Sequence, residues 1–303
     1  MLDLILLGTG GGMPMPKRHL SSMLITYNGR KILIDCGEGT QVAMRKFRSG
    51  FRALDIICLS HFHGDHTFGL PGLLATLGNS DRIKPVTIIG PKGLSKFMES
   101  IMNLVIYLPF HIKLIEDPKS KLDFKMAGED LSISTMDLKH SSPCLGYKIY
   151  VPRDPKFYPE KAHENMIPLE FWSKLQAGEE VHHKGKTYKP SMVLGEKRRG
   201  ITLTYTTDTR PIDQIVDFAK NSDLFVCEGT YGDSSDKDKA VKNTHMTFQE
   251  AASLAKKANV RRLLLTHFSP SMDRANQYEN QASNIFKNTI IGYDGYSETL
   301  KFE

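Results

Sequence analysis

The 303-residue chain has only four cysteines, Cys36, Cys58, Cys144 and Cys227, and they are scattered. None forms a CxxC pair or belongs to a regular disulfide framework, which excludes a disulfide-stapled scaffold and suits free thiols in a reducing cytoplasm. Long apolar runs are missing as well. No window reaches the ~18 uninterrupted apolar residues that a spanning helix requires, so no membrane segment is expected. Met1-Leu2-Asp3-Leu4 has no basic flank, and its apolar run ends at Gly8, too short for a signal peptide. A dinucleotide fingerprint is absent too: Gly8-Thr9-Gly10-Gly11-Gly12-Met13-Pro14 puts Met13 where a glycine is required, so the stretch reads as an active-site loop. Nor is there an acidic surplus. Forty Lys and Arg against 34 Asp and Glu give a net charge of +6 and a pI near 9.0, which allows a polyanionic partner without demanding one.

What the chain does have is Ser60-His61-Phe62-His63-Gly64-Asp65-His66, three imidazoles and a carboxylate in a very short span. A single histidine is ordinarily a packed or exposed side chain; this density of donors points to a cation. Leu54 to Leu59 reads as a buried strand before it, and the segment from Thr67 to Leu74 opens a helix after it. In such a turn, alternation sorts the donors: His61 and His63 toward one ion, Asp65 and His66 toward a second. Imidazole and carboxylate without thiolate suit Zn²⁺, with Mn²⁺ or Fe as alternatives, and an open catalytic centre.

The rest of the chain alternates strand and helix. Asn28-Gly29 between two apolar runs predicts a hairpin of residues 23–27 and 31–35. Asp35, at the end of the second run, is either a support for the metal loop or a cap for a helix near Glu38. That helix carries Arg45, Lys46, Arg48 and Arg52, a solvated face or an RNA contact. A strand at residues 86–89, an amphipathic helix over 94–107 and a strand at 131–134 follow. Residues 150–200 break this rhythm. They are rich in Pro, Lys and Glu, and an insertion of that length is functional or disordered. The His182-His183 pair lacks neighbouring ligands for a metal of its own. Further strands at 201–206, 223–227 and 261–266 lead to Asp208, Glu228 and His267, and periodicity by itself assigns an α/β fold.

His61-x-His63-x-Asp65-His66 resembles the signature of the metallo-β-lactamase superfamily. Within it the chain is most similar to the ribonuclease Z family of tRNA 3′ endonucleases. The likeness rests on Leu7-Gly8-Thr9-Gly10 with Pro14, on Asp35-Cys36-Gly37-Glu38-Gly39-Thr40-Gln41 and on His66-x-x-Gly69-Leu70-Pro71-Gly72. It covers nearly the whole chain.

The resemblance implies an αβ/βα four-layer sandwich of two mixed sheets with helices outside. It implies a single hydrolase domain over 1–303, with 150–200 an inserted, protruding, flexible arm that grips tRNA through cations such as Lys184, Lys186, Lys197, Arg198 and Arg199. Where many family arms carry a Gly-Pro pair, this chain reads Ile167-Pro168-Leu169-Glu170-Phe171-Trp172. By resemblance, two Zn²⁺ per subunit are held, one by His61, His63 and His140, the other by Asp65, His66 and His267. Asp208 lies between them, with Asp213 as the competing carboxylate. Asp65 would orient a metal-activated hydroxide, and His245, supported by Glu228, would protonate the leaving group. The alternatives at those two positions are a helix cap and a lysine partner. The implied reaction removes 3′ trailers from precursor tRNA, leaving a 3′-hydroxyl and a trailer 5′-phosphate, in a cytoplasmic homodimer. Another dinuclear phosphodiesterase or exonuclease of the superfamily is the alternative, disfavoured by the long arm. A non-enzymatic RNA-binding subunit is disfavoured by the intact ligand set.

Overall fold

The computed structural model describes residues 1–105 and 107–303. Two seven-stranded mixed sheets face each other with helices on their outer sides, as the family resemblance implies. The first sheet contains β1 (Leu2–Gly8), β2 (Ser22–Tyr27), β3 (Arg30–Ile34), β4 (Leu54–Cys58), β5 (Val86–Gly90) and β6 (Ile112–Glu116), with β16 (Ser297–Leu300) beside β1. The second contains β7 (Leu122–Met126), β8 (Glu129–Asp137), β9 (Leu145–Arg153), β12 (Arg198–Thr206), β13 (Leu224–Glu228), β14 (Leu263–Thr266) and β15 (Thr289–Ile291). A short antiparallel pair, β10 (Val181–His183) and β11 (Lys186–Tyr188), forms a two-stranded sheet of its own.

The hairpin forms where Asn28-Gly29 predicts it. Asn28 and Gly29 both take positive φ, as a tight turn of this twist requires, and Tyr27 pairs with Arg30. From β3 to β6, and again from β12 to β15, neighbouring strands run parallel. Their carboxyl ends therefore collect at one rim of each sheet, where loops are free to carry chemistry.

The helices α1 (Thr40–Lys46), α2 (Gly64–Thr67), α3 (Leu70–Gly78) and α4 (Leu94–Leu104) belong to the first half of the chain. Ala43, Met44, Leu70, Leu73, Leu74, Leu77, Leu94 and Met98 bury one apolar face of α1, α3 and α4 against the first sheet. Each fully buried leucine contributes about 2 kcal/mol of transfer free energy. The helix expected over 94–107 ends at Leu104, and Ile106 lies outside the described residues. The metal loop also departs from expectation: the chain turns helical at Gly64, inside the donor cluster, and again at Leu70.

After α5 (Pro159–Glu164) and α6 (Trp172–Gln176) come α7 (Asp213–Ala219), α8 (Lys237–Asn243), α9 (Phe248–Lys257) and α10 (Glu279–Ser283). The second sheet buries Ile215, Ala219, Phe248, Ala251, Ala252, Ala255 and Ala282 from α7, α9 and α10. Thr247 and Glu250 close a reciprocal capping box on α9.

The chain divides into two compact units, residues 1–150 with 202–301, and residues 151–201 with 302–303. The smaller holds α5, α6 and the β10–β11 pair. It is ordered around a core of Ala162, Ile167, Leu175, Val181, Tyr188 and Val193, and the Trp172 indole donates to the Ile167 carbonyl at 3.1 Å. Lys184, Lys186 and Lys197 are exposed on it. His182 bonds the Thr187 hydroxyl, and His183 lies against Phe171, so this pair joins no cluster of metal donors among the described residues.

Candidate metal and catalytic site

All seven donors expected at the site come together in the larger unit, and each leaves the carboxyl end of a strand or the helical turn that follows one. His61 and His63 follow β4, with Asp65 and His66 in α2; His140 follows β8, Asp208 follows β12 and His267 follows β14. They form two groups whose donor atoms lie within 4.8 Å of one another: His61, His63, His140 and Asp208, and Asp65, His66, Asp208 and His267. Asp208 belongs to both. Asp213, the competing carboxylate, starts α7 and belongs to neither.

Nitrogens face nitrogens across this space. His61 Nε2 lies 3.0 Å from His63 Nδ1, His140 Nε2 3.2 Å from the same atom, and His66 Nε2 3.1 Å from His267 Nε2. Burial, reinforced by the neighbouring His66, holds the His61 imidazole well below its ordinary pKa, and burial lowers His140. His66 goes the other way: burial resists its charge, but Asp208 and Asp35 outweigh burial and raise it. Burial also opposes ionisation of Asp65 and Asp208, yet the surrounding histidines hold both carboxyls below the usual range. The pocket thus combines converging lone pairs with ionised carboxylates, and a divalent cation satisfies both.

The opposite ring nitrogens are occupied by protein groups. Ser60 Oγ lies 3.0 Å from His61 Nδ1, Asp35 Oδ2 2.9 Å from His66 Nδ1, Thr244 Oγ1 2.9 Å from His140 Nδ1 and Thr230 Oγ1 3.0 Å from His267 Nδ1. Such partners fix the ring orientation and direct Nε2 into the space between the donors. Asp35 also accepts from the Ser60 N–H and hydroxyl and from the Tyr205 hydroxyl. The two readings of Asp35 are thereby separated: it supports the metal loop, while Gly39 precedes α1.

Asp65 Oδ2 accepts the Gly12 N–H at 2.6 Å. Gly12 has φ +81°, and an added Cβ on Gly11 would stand 2.3 Å from His267 Cε1, so both glycines are needed where they are. Asp35, Thr244 and His267 each hold φ +59°, a left-handed conformation that such residues adopt at a cost.

Beside the metal donors lies a second arrangement. Glu228, fully buried, accepts from four donors: Thr209 N at 2.6 Å, Thr230 Oγ1 at 2.6 Å, His245 Nδ1 at 3.2 Å and Met246 N at 3.2 Å. No lysine is among them. His245 is not a cap; its Nε2 points toward Asp208 Oδ2, 4.0 Å away. Burial opposes a proton on His245, but Glu228 prevails and raises the imidazole to about 9. The cleft that His245 opens into has a volume of about 460 Å³, and its wall also carries His63, His140 and Lys242. Gly11 and Gly12 lie in the stretch that the sequence reads as an active-site loop, whereas Thr230, Thr244 and Tyr205 were missed as partners of the site. Only Thr230 left a trace, standing two residues after Glu228 in the loop that β13 delivers.

Comparison with known proteins follows the same lines. A model described as "Beta-lactamase superfamily domain" matches residues 162–268, and one described as "Anti-Pycsar protein Apyc1" matches residues 2–103. Ribonuclease Z of Alkaliphilus oremlandii is 54% identical over 316 residues, and that of Clostridioides difficile 54% over 305, each match covering 100% of both chains. Among solved structures, human tRNase Z, short form, aligns with a TM-score of 0.69 at 24% identity, over 99% of this chain and 100% of that one. A long-form RNase Z from yeast aligns with a TM-score of 0.70 at 20% identity, over 98% of this chain and 41% of that one. At these identities the structures speak to the fold.

Proposed function

The chain belongs to the ribonuclease Z family, and from that premise we propose how its residues remove the 3′ trailer from precursor tRNA. It is a metal-dependent endoribonuclease of tRNA 3′ processing. The observation that carries the residue assignment is the pair of four-donor groups sharing Asp208, with His245 and Glu228 alongside.

In this reading His61, His63 and His140 would hold one Zn²⁺, Asp65, His66 and His267 would hold the other, and Asp208, which belongs to both donor groups, would serve both. When bound, the two ions would supply a nucleophile from water at neutral pH and offset negative charge on the phosphate. Asp65, anchored by the Gly12 N–H, keeps its carboxylate directed at the attacking water and takes up its proton. Attack on phosphorus breaks the bond to the 3′ oxygen of the mature tRNA. His245 delivers a proton from Nε2 to that oxygen, while Glu228 holds Nδ1–H. The raised imidazole pKa keeps this proton in place at neutrality.

The smaller unit, which corresponds to the inserted arm, would bind tRNA through exposed Lys184, Lys186 and Lys197, whose charges meet phosphates without reading sequence. The family resemblance supports a homodimer, and four buried, unbridged cysteines suit a reducing cytoplasm.

The test is cleavage of a 3′-extended precursor tRNA by the purified protein, beside His66→Ala and a deletion of residues 155–195, with bis(p-nitrophenyl) phosphate as second substrate. Metal-dependent cutting at the acceptor end, lost in both variants while the deletion still hydrolyses the small diester, is the expected result. Good diester hydrolysis with no cutting of tRNA would overturn the reading.

A further inference from the structure

Four ring nitrogens at the site are backed by protein groups, and two of those groups are threonine hydroxyls on the elements that carry the Glu228–His245 pair. We propose that Thr230 and Thr244 act together as positioning residues, coupling the proton-donating pair to the metal-ligating histidines. The inference rests on the reading of His245 as the proton donor.

Hydrogen-bond accounting sets the direction of each contact. A hydroxyl has a single proton. Thr230 Oγ1 lies 2.6 Å from Glu228 Oε2 and 3.1 Å from the His267 carbonyl oxygen, both of which only accept, and its one proton goes to the shorter contact, with the ionised carboxylate. The 3.0 Å contact with His267 Nδ1 must then run from ring to hydroxyl, which puts the His267 proton on Nδ1 and leaves Nε2 for the metal. The same Oγ1 is 3.3 Å from His245 Nδ1. One hydroxyl therefore touches a metal ligand, the buried carboxylate and the donor imidazole.

Thr244 repeats the device on the other metal. Its Oγ1 lies 2.6 Å from the Asn243 carbonyl, which only accepts, and 2.9 Å from His140 Nδ1, which must donate. His140 is left with Nε2 facing His63 and Asp208. Thr244 is also the residue that ends α8, in left-handed conformation at φ +59°. Glycine or asparagine usually takes such a position, and a β-branched residue there is strained. Glycine would make the turn without strain, but it would give His140 no hydroxyl. The next residue is His245, so one strained turn sets both a metal ligand and the proton donor.

The experiment compares Thr230→Val, Thr230→Ser, Thr244→Gly, Thr244→Ser and His245→Gln. Zn²⁺ affinity of the metal-stripped protein is read by chelator competition, folding by thermal unfolding of the metal-free form, and turnover on precursor tRNA and on bis(p-nitrophenyl) phosphate. Thr230→Val and Thr244→Gly should each weaken Zn²⁺ binding by about 10- to 100-fold, the range found when a partner of a ligating histidine is removed. The serine variants should keep most of the affinity. Thr244→Gly should melt no lower than the parent, which separates lost orientation from lost folding. Thr230→Val should lose more turnover on tRNA than on the diester, whose p-nitrophenolate departs without a proton, and His245→Gln should show the same preference.

Unchanged Zn²⁺ affinity in Thr230→Val and Thr244→Gly, or serine variants as impaired as these two, would overturn the proposal. A substrate preference in His245→Gln but not in Thr230→Val would overturn the coupling while leaving the proton donor in place. No preference in His245→Gln would overturn the assignment of the donor itself, and the coupling with it.

Discussion

The Nδ1 of His66 lies 2.9 Å from the carboxylate of Asp35, and both side chains are completely buried. Asp35 comes from the end of β3 and His66 from the helical turn after β4, so two neighbouring strands of the first sheet close on one histidine of the candidate metal site. The Tyr205 hydroxyl reaches the same carboxylate from β12 of the opposite sheet.

Asp35→Asn should keep the shape of this contact while removing its charge. The amide would still accept from Ser60 N, but His66 would lose the carboxylate that makes its Nε2 a stronger donor. Metal affinity should fall by about 10- to 100-fold, measured by chelator competition. Retention of the parent affinity would remove Asp35 from the support of the site.

Gly11→Ala should be far more damaging than a methyl group on a loop usually is. Its Cβ would stand 2.3 Å from the His267 ring, and either the ring or the loop must give way. A displacement of about 1 Å costs roughly 100-fold in turnover. Steady-state kinetics and metal content measured together would show the loss, and thermal unfolding of the same variant would separate it from a loss of fold.

The pH profile should carry the signature of His245. Burial disfavours its proton, Glu228 favours it more, and the imidazole titrates at about 9. Only the protonated form can donate, so cleavage of tRNA should persist at neutrality and decline as pH rises through that value. Glu228→Gln removes the charge that raises the pKa and should move the decline to lower pH. A profile that Glu228→Gln leaves in place would separate the two residues.

Arg210→Met should destabilise the loop that presents His245. The Arg210 guanidinium pairs with Glu250 and also donates to the His245 carbonyl. Loss of hydrogen bonds to a charged, largely buried group costs about 2 kcal/mol, visible in denaturant unfolding. Arg210→Lys should recover little, because an ammonium cannot reproduce the planar fork that reaches both partners.

The metal donors were legible because their chemistry is local. His61 to His66 crowd into one loop, and lone pairs and carboxylates brought together at that density are satisfied by a cation. Asn28-Gly29 specified its hairpin for a similar reason, since few residues adopt positive φ at two successive positions at low cost. His140, Asp208 and His267 carry almost no local signal and were identified through the family order of motifs. The end of the helix after Leu94 and the early helical turn at Gly64 were misjudged because both boundaries depend on packing against the first sheet rather than on capping residues.

The sequence by itself determined the metal-site chemistry, the alternation of strands and helices, and the family from which the remaining ligands follow. Tertiary structure decided how that site is held. Asp35 became a support rather than a cap because Ser60, His66 and Tyr205 converge on its carboxylate. Thr230 and Thr244 acquired roles that no spacing announces, since their partners His267 and His140 stand 37 and 104 residues away. A side chain's propensity is written in its own stretch of chain, whereas the direction of a hydrogen bond depends on which atoms the sheets bring within 3 Å of each other, and only the folded chain specifies that.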